Sequence, residues 1–273
     1  MRRHDGFAAV VLAGQRPGIV DPLVAEAGIS HKCLVPIDGE PLINHVVAAL
    51  RATPGIERLR IVVEPDMFGT IEAGLAGEQP PIEFIAAADN LTDSVFAGAQ
   101  GLDQSIIVTT ADNVLLTPEA VRQMLEKLQR GVDVALAMAT KASVLAAHSE
   151  GQRRFYRFSD NEYSNCNLYA FAGARAISAA ESFRSGGQFA KKPLRLVMAV
   201  GVVNVLLMLR GKLSLRNALE RLSRRLKLRI EPVVLRDGSH AIDVDNERTL
   251  RIASLLLEKR RNARTARLSQ SAA

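Results

Sequence analysis

The strongest constraint on the fold is the regular alternation of short apolar runs with helix-forming segments over the first 140 residues. Runs rich in Val, Ile and Ala predict strands buried on both faces of a sheet, at residues 7–12, 59–63, 82–86, 105–109 and 132–139. Pro41 opens a predicted helix at 42–50, and Thr117 with Pro118 opens another at 120–130. The alternation predicts βαβ units in a doubly wound, mostly parallel α/β sheet, whose ligands bind beyond the carboxyl ends of the strands.

The second half of the chain predicts additional strands in a mixed sheet and no second domain. Strands are expected at 153–158, 165–171, 230–235 and 240–244, and helices at 174–183 and from Glu247 onward, where Asn246 is the cap. The apolar run that follows Arg3 is short and leads into a glycine loop, so we interpret it as the first strand and not as a signal peptide. We expect residues 1–258 to form one domain and the tail at 259–273 to fray.

A basic helical insert at residues 184–229 accounts for the net positive charge of the chain. It contains twelve Lys or Arg and one acid, Glu220, so the net charge of +6 divides into +11 there and −5 elsewhere. Residues 196–209 are apolar except for Asn204, yet as a helix they would cover about 21 Å of a bilayer core about 30 Å thick. Three alternatives stay open: contact of 191–229 with an anionic membrane surface, packing on the core, or a homodimer contact. Nucleic acid is not expected, because aromatic residues make up 4% of the chain and none alternates with these cations.

The end of the first strand predicts a phosphate-binding loop. It consists of Leu12, Ala13, Gly14, Gln15 and Arg16, in which a glycine turn can bring backbone N–H groups and a cation to phosphate oxygens. The spacing fits neither the P-loop nor the dinucleotide-binding fingerprint, so an ordinary turn with surface cations is the alternative.

Three aspartates are candidate metal ligands. Asp112 directly follows the buried strand at 105–109, where a carboxylate can hold Mg²⁺ together with phosphate oxygens; its alternative role is to cap the next turn. Asp243 and Asp245 alternate on a predicted strand and so point to opposite faces. We therefore expect only one of the two to join Asp112, with Asp243 preferred, and the other to serve the start of the last helix.

These pieces resemble the GT-A-like nucleotidyltransferases, especially the MobA-like branch similar to molybdenum cofactor guanylyltransferase and to the sugar- and alcohol-phosphate cytidylyltransferases. That branch has an L-A-G-G-x-G-x-R loop, which Leu12–Arg16 matches except that Gln15 replaces the second glycine and the rest is compressed. Its K-x-L-x-x-x-x-G-x-P segment matches Lys32 through Gly39 to Pro41, and its closing D-x-D-T-P-E-D-L segment is similar to residues 243–250. The resemblance covers roughly residues 6–183 and 229–257.

The resemblance implies the roles of the site residues. It makes Asp112 a metal ligand, and it makes Lys32 and Arg16 cations that offset triphosphate charge. We assign no catalytic role to His31, because a histidine beside such a lysine is more often a loop residue. Thr92 and Ser94 would contact the base, although an N-cap by Thr92 or Asp93 is an equal alternative. Two further residues, Asn165 and Asn167, occupy the position where related sugar-phosphate enzymes have an asparagine that faces the acceptor.

The activity that follows is a Mg²⁺-dependent transfer of a nucleoside monophosphate from an NTP, with CTP or GTP preferred, to a phosphorylated sugar, polyol or alcohol. An acceptor phosphate oxygen attacks the α-phosphorus and pyrophosphate leaves. Two rivals remain: a GT-A glycosyltransferase that uses a nucleotide-sugar, and an inactive membrane-associated binding protein on the same fold. With only Cys33 and Cys166, the chain is expected in the cytoplasm, with a peripheral position at the inner face of the membrane if the insert binds lipid.

Overall fold

A computed structural model describes residues 6–15, 21–75, 79–178 and 212–271 of the protein. Its strands are β1 (Phe7–Leu12), β2 (Pro36–Ile37), β3 (Glu40–Pro41), β4 (Ile56–Val63), β5 (Ile82–Ala86), β6 (Ser105–Thr110), β7 (Val134–Thr140), β8 (Tyr156–Arg157), β9 (Glu162–Phe171) and β10 (Ile230–Leu235). Its helices are α1 (Pro22–Ala27), α2 (Leu42–Arg51), α3 (Phe68–Leu75), α4 (Leu91–Ala99), α5 (Pro118–Gln129), α6 (Lys141–Ala147), α7 (Ala174–Ile177), α8 (Leu215–Leu226) and α9 (Glu247–Ser271).

The main sheet has the order β10-β7-β9-β6-β1-β4-β5, with β8 paired to β9. Strand β1 is parallel to β4 and β6, β4 is parallel to β5, and β10 is parallel to β7. Strand β9 runs antiparallel to both β6 and β7. The predicted α/β class with a mostly parallel mixed sheet is therefore confirmed.

Helices cover both faces of the sheet, because successive side chains of a strand point to opposite sides. On one face, Ala9 and Val11 of β1 join a core to which α2, α3, α5 and α9 contribute. On the other face, Ala8 and Val10 join a second core with α4, α7 and α8. The near-complete burial of β1, at most 1% exposed from Phe7 to Val11, follows from this double cover.

The segment predicted as a strand at 240–244 has a different structure. Residues Gly238–Ala241 form a 3-10 helix, in which Asp237 accepts a hydrogen bond from the backbone N–H of Ser239 at 3.0 Å. A Cβ on Gly238 would lie 2.1 Å from the backbone carbon of Ser143, so this glycine allows close packing against α6. The strand prediction was wrong because apolar alternation also fits a buried loop anchored in this way.

Two further boundaries differ from the sequence predictions. The strand expected at 153–158 is limited to Tyr156–Arg157. Residues 259–271, predicted to fray, continue α9 as a helix. Arg260 anchors this part of the helix, since its guanidinium donates to the carbonyl of Leu115 at 2.8 Å and to Asp237 at 2.9 Å.

The second half of the basic insert packs on the sheet. Leu215, Ala218 and Leu222 of α8 are buried, whereas the side chain of Arg216 is 82% exposed. The apolar run at 196–209 lies outside the described residues. None of the helices that the structure describes has both the length and the apolar character needed to cross a membrane.

Candidate active site

The loop after β1 is held at the carboxyl edge of the sheet by its own backbone. Ala13 donates its N–H to the carbonyl of Val62 at 2.9 Å, which extends the β1–β4 pairing beyond Leu12. A Cβ on Gly14 would lie 2.9 Å from Cβ of Ala87, so only glycine fits without a shift. Gln15 donates its side-chain amide to the carbonyl of Ser30 at 2.5 Å. Gln15 occupies the position at which the related loops have their second glycine.

Glu64 is a residue of this site that the sequence reasoning missed. It follows β4 directly, and its Oε1 accepts the backbone N–H of Gln15 at 2.8 Å. Nε2 of His31 lies 3.3 Å from the other carboxylate oxygen. The sequence could have indicated Glu64, because a polar residue directly after a buried parallel strand lies at the same sheet edge as Asp112. Arg16 lies outside the described residues, so its role toward the triphosphate stays a prediction.

Lys32 joins two of the three candidate aspartates. Its Nζ donates to Oδ2 of Asp112 at 2.5 Å and to Oδ1 of Asp245 at 3.1 Å. Burial lowers the pKa of Lys32, but the two carboxylates outweigh it and hold that pKa above its usual value. Asp112 also accepts the hydroxyl of Thr110 at 2.5 Å, so both of its oxygens are oriented. Lys32, Asp112 and Asp245 therefore converge, although they are far apart in sequence.

Asp243 lies in the same loop as Asp245, at 242–246, but has a different hydrogen-bond partner. Its Oδ2 accepts from Nδ2 of Asn167 at 2.6 Å, while its Oδ1 is shielded and has no hydrogen-bond partner among the described residues. Burial, and then the charges of Asp112 and Asp245, raise the pKa of Asp243 well above its usual value. Because 242–246 is a loop and not a strand, both aspartates reach the site, contrary to the expectation that one would face away.

The two predicted acceptor residues lie together on β9 at a bulge. Leu136 of β7 pairs with Tyr169 but Met138 pairs with Asn165, so the β9 strand carries extra residues between these pairs. Asn167 lies at this bulge with a positive φ of 46°. Asn165 donates its amide to Oδ1 of Asn167 at 3.0 Å and to the hydroxyl of Tyr169 at 2.5 Å.

The predicted base-reading residues are buried in the first turn of α4, directly after the loop at 87–90. Asn90 is the N-cap of α4 and accepts the N–H of Asp93 at 3.0 Å, so the alternative of an N-cap by Thr92 or Asp93 is wrong. Thr92 is 4% exposed and Ser94 is 7% exposed. The hydroxyl of Ser94 accepts the N–H of Ala88 at 3.0 Å, which fixes the shape of the loop. Direct contact of Thr92 or Ser94 with a base stays a prediction.

Comparison with known proteins decides the family. The family model called MobA-like NTP transferase domain matches residues 9–228 of the chain. The chain belongs to this family. The match contains both the Lys32 and the Asp112 positions.

Individual relatives of the chain are more distant. The 2-C-methyl-D-erythritol 4-phosphate cytidylyltransferase of Synechocystis is 28% identical over 126 residues, which cover 44% of this chain and 55% of that protein. The chain thus spans about half the length of the curated relatives it matches. A hypothetical transferase from Thermus thermophilus has a TM-score of 0.75 and 26% identity, over 90% of this chain and 99% of that one. A CMP:2-keto-3-deoxy-manno-octonic acid synthetase complexed with CTP shares the fold, with a TM-score of 0.53 and 14% identity over 93% and 98%.

Proposed function

We propose that this protein is a Mg²⁺-dependent nucleotidyltransferase that moves CMP from CTP to a phosphorylated small molecule and releases pyrophosphate. The observation that carries the proposal is the position of Lys32 between Asp112 and Asp245 at the carboxyl end of β6. The Gly14 loop lies one strand away, at the end of the neighbouring β1. A cation and a close-approach glycine suit the phosphates, and the carboxylates suit the Mg²⁺ that accompanies a triphosphate.

The reaction needs positioning and charge neutralisation more than proton transfer. An acceptor phosphate is already ionised at neutral pH, so its oxygen can attack the α-phosphorus without a general base. The new bond joins that oxygen to the α-phosphorus, the bond from the α-phosphorus to the bridging oxygen breaks, and pyrophosphate leaves with the electron pair. Lys32, and Arg16 by resemblance, hold the triphosphate and offset the charge on the leaving group.

The carboxylates fit a magnesium ion. In the described part of the chain no three His, Cys, Asp or Glu side chains form a ready-made metal site. Asp112 and Asp245 nevertheless already share one cation, the ammonium of Lys32, and Mg²⁺ typically takes one or two carboxylates together with phosphate oxygens. We infer that these two residues hold Mg²⁺ when the triphosphate is present. The ion then supplies charge neutralisation at the phosphates.

The choice of cytidine rests on the relatives named above, with GTP as the alternative. The hydroxyl of Ser94 is buried and holds the backbone of the loop at 87–90, so it is not free to contact a base. The backbone N–H and C=O groups of that loop would contact the base instead. Fixed backbone N–H and C=O groups that contact the edge of a base can distinguish a pyrimidine from a purine. They do so by the pattern of hydrogen bonds and by the space available.

Pyrophosphate release is the deciding measurement. Purified protein is incubated with Mg²⁺, each of the four NTPs, and a set of sugar, polyol and amino-alcohol phosphates. We expect release with CTP and one class of acceptor, and a loss of about 100-fold or more in Asp112→Asn. Asp133→Asn, a carboxylate at the amino end of β7, is the control and keeps its rate. Absence of pyrophosphate with every pair would contradict the proposal.

The same assay separates the rival functions. A GT-A glycosyltransferase would release a nucleoside diphosphate from a nucleotide-sugar and no pyrophosphate. An inactive binding protein would bind CTP equally well with and without the Asp112→Asn substitution. The family match favours nucleotidyl transfer over both.

We also propose that the exposed basic side of α8 contacts an anionic membrane surface, which would place a cytoplasmic enzyme at the inner face of the membrane. Packing of Leu215, Ala218 and Leu222 on the sheet keeps Arg216 and Arg224 on the outside, and Lys212, just before α8, is exposed as well. Each such cation near an anionic bilayer contributes about 1 kcal/mol. Core packing alone and a homodimer contact are the alternatives.

Liposome co-sedimentation tests this surface. Replacing Lys212, Arg216 and Arg224 by Glu should abolish binding to vesicles that contain phosphatidylglycerol. The same triple change at Arg251, Lys259 and Arg264, which are exposed on α9, should leave most of the binding. Equal binding by both variants would remove the proposal, and a change in sedimentation coefficient of the first variant without lipid would favour the dimer.

A further inference from the structure

The ammonium of Lys32 lies between the two carboxylates that the proposed function assigns to magnesium. Its Nζ donates to Oδ2 of Asp112 at 2.5 Å and to Oδ1 of Asp245 at 3.1 Å. The other oxygen of Asp112 accepts the hydroxyl of Thr110 at 2.5 Å. The carboxylates that would bind a divalent cation are therefore already paired with a cation of the chain itself.

The local structure holds the ammonium in this position. Lys32 is the first residue of a 3-10 helix, Lys32–Leu34, whose second residue, Cys33, is buried in the core. Val35 donates its N–H to the carbonyl of Lys32 at 3.0 Å, which closes the turn. The side chains of Lys32 and Asp112 are partly shielded from water, so their attraction is screened less than that of a surface pair.

An ammonium and a divalent cation compete for these carboxylates. Two positive charges about 4 Å apart repel each other, and they repel more strongly where water is partly excluded. Mg²⁺ also loses its hydration water reluctantly, and it usually combines one or two carboxylates with phosphate oxygens. Without a triphosphate, binding of the metal therefore requires the loss of both hydrogen bonds of Lys32.

A triphosphate removes this competition. Its oxygens accept charge-assisted hydrogen bonds from an ammonium, and the Gly14 loop follows β1, the strand next to β6. An ammonium that donates to a phosphate leaves Asp112 and Asp245 to a metal ion. Triphosphate and metal then favour the binding of each other, and the effect is reciprocal by thermodynamic linkage.

We propose that Lys32 excludes magnesium from Asp112 and Asp245 until a triphosphate accepts its ammonium. The proposal rests on the proposed function and adds an order of binding to it. The carboxylates are closed to free metal and open to metal that is accompanied by nucleotide. The position of one side chain thus distinguishes these two forms of the ion.

Mn²⁺ binding in the absence of nucleotide tests the exclusion directly. Mn²⁺ takes the same oxygen ligands as Mg²⁺, and free Mn²⁺ is followed by electron paramagnetic resonance during titration of the full chain. Lys32→Met should bind Mn²⁺ about tenfold or more tightly than the wild type, because the competing cation is gone. Asp112→Asn in the Lys32→Met background should abolish this gain. Equal Mn²⁺ affinity of the wild type and Lys32→Met would overturn the proposal.

A second substitution of the same residue separates charge from side-chain identity. Lys32→Arg keeps a positive charge and its hydrogen-bond donors, so it should exclude Mn²⁺ nearly as well as the wild type. Tight Mn²⁺ binding by Lys32→Arg would refute exclusion by charge. Lys141→Met removes a different lysine–carboxylate pair, and it should leave the Mn²⁺ affinity within about twofold of the wild type.

Binding of nucleotide supplies an effect of opposite sign. At saturating Mg²⁺, calorimetric titration should show about tenfold weaker CTP binding in Lys32→Met, because a charged hydrogen bond to phosphate is lost. The same substitution thus strengthens the binding of free metal and weakens the binding of nucleotide. A general loss of structure would weaken both, and that result would contradict the proposal.

The two proposals can fail separately. Absence of pyrophosphate with every NTP and acceptor would contradict the proposed function, whereas the Mn²⁺ titration needs neither an acceptor nor turnover. If the wild type were active and Lys32→Met bound free Mn²⁺ no more tightly, the exclusion by Lys32 would be refuted and the proposed function would stand.

Discussion

Replacement of Lys32 by Met should destabilise the protein in a way that magnesium reverses. The ammonium of Lys32 lies 2.5 Å from Asp112, and the two side chains are 22% and 18% exposed. Breaking a fully buried ion pair costs about 3–5 kcal/mol, whereas an exposed pair is worth about 0–1 kcal/mol. Asp245, the second partner, is 65% exposed and adds little. We therefore expect the free energy of unfolding to fall by about 2 kcal/mol.

Magnesium should restore part of this loss, because a divalent cation can take the place of the ammonium between the carboxylates. The pH of the measurement is not critical. The folded-state pKa of Lys32 is raised, so its stabilisation is complete below the ordinary lysine pKa and is lost only as the pH rises above it. Urea unfolding at pH 7.5, with and without Mg²⁺, therefore reports the whole contribution.

Lys141→Met is the control for loss of a surface ion pair. Lys141 lies 2.6 Å from Glu162, with side chains 40% and 30% exposed, and its removal should change the free energy of unfolding by less than about 1 kcal/mol. Magnesium should not affect that variant beyond its effect on the wild type. The reasoning would be refuted if Lys32→Met unfolded within about 0.5 kcal/mol of the wild type, or if magnesium stabilised the two equally.

Three further predictions concern folding and the loop after β1. Burial lowers the pKa of His240 from 6.5 to about 4, so stability should fall as the pH drops from about 6.5 toward 4; His240→Gln should flatten this dependence in acid urea titrations. Gly14→Ala should weaken CTP binding measured by calorimetry and destabilise by about 1–3 kcal/mol, since its Cβ would lie 2.9 Å from that of Ala87. Gly238→Ala should destabilise at least as much in thermal unfolding, because its Cβ would meet the Ser143 backbone at 2.1 Å, where no side chain can move aside.

Local signals in the sequence predicted the elements that build the sheet. Thr117 accepts the N–H of Ala120 at 3.2 Å and starts α5 as the Thr-Pro-Glu pattern indicated. The glycine of the lysine segment, Gly39, has a φ of 84° in the turn between β2 and β3, a conformation that favours glycine. Such features depend on residues that are close together in the sequence, so they can be predicted from the sequence alone.

The arrangement of the site depends on long-range contacts that the sequence does not encode locally. Lys32 is 80 residues from Asp112 and 213 residues from Asp245. The family resemblance indicated that Lys32 and Asp112 belong to one site. It did not indicate which of the two aspartates, Asp243 or Asp245, joins them. Period-two alternation predicted a strand there, and that prediction placed the two aspartates on opposite faces.

One hydrogen bond explains why the two aspartates diverge although they share a loop. Val244, the residue between them, donates its N–H to the carbonyl of Asp112 at 3.1 Å. This bond fixes the middle of the loop at the end of β6, so the residue before it faces β9 and the residue after it faces Lys32. Asp243 consequently meets Asn167 and Asp245 meets the ammonium. Two carboxylates that alternate in the sequence thus contact different partners, because a backbone hydrogen bond to the end of β6 holds the residue between them.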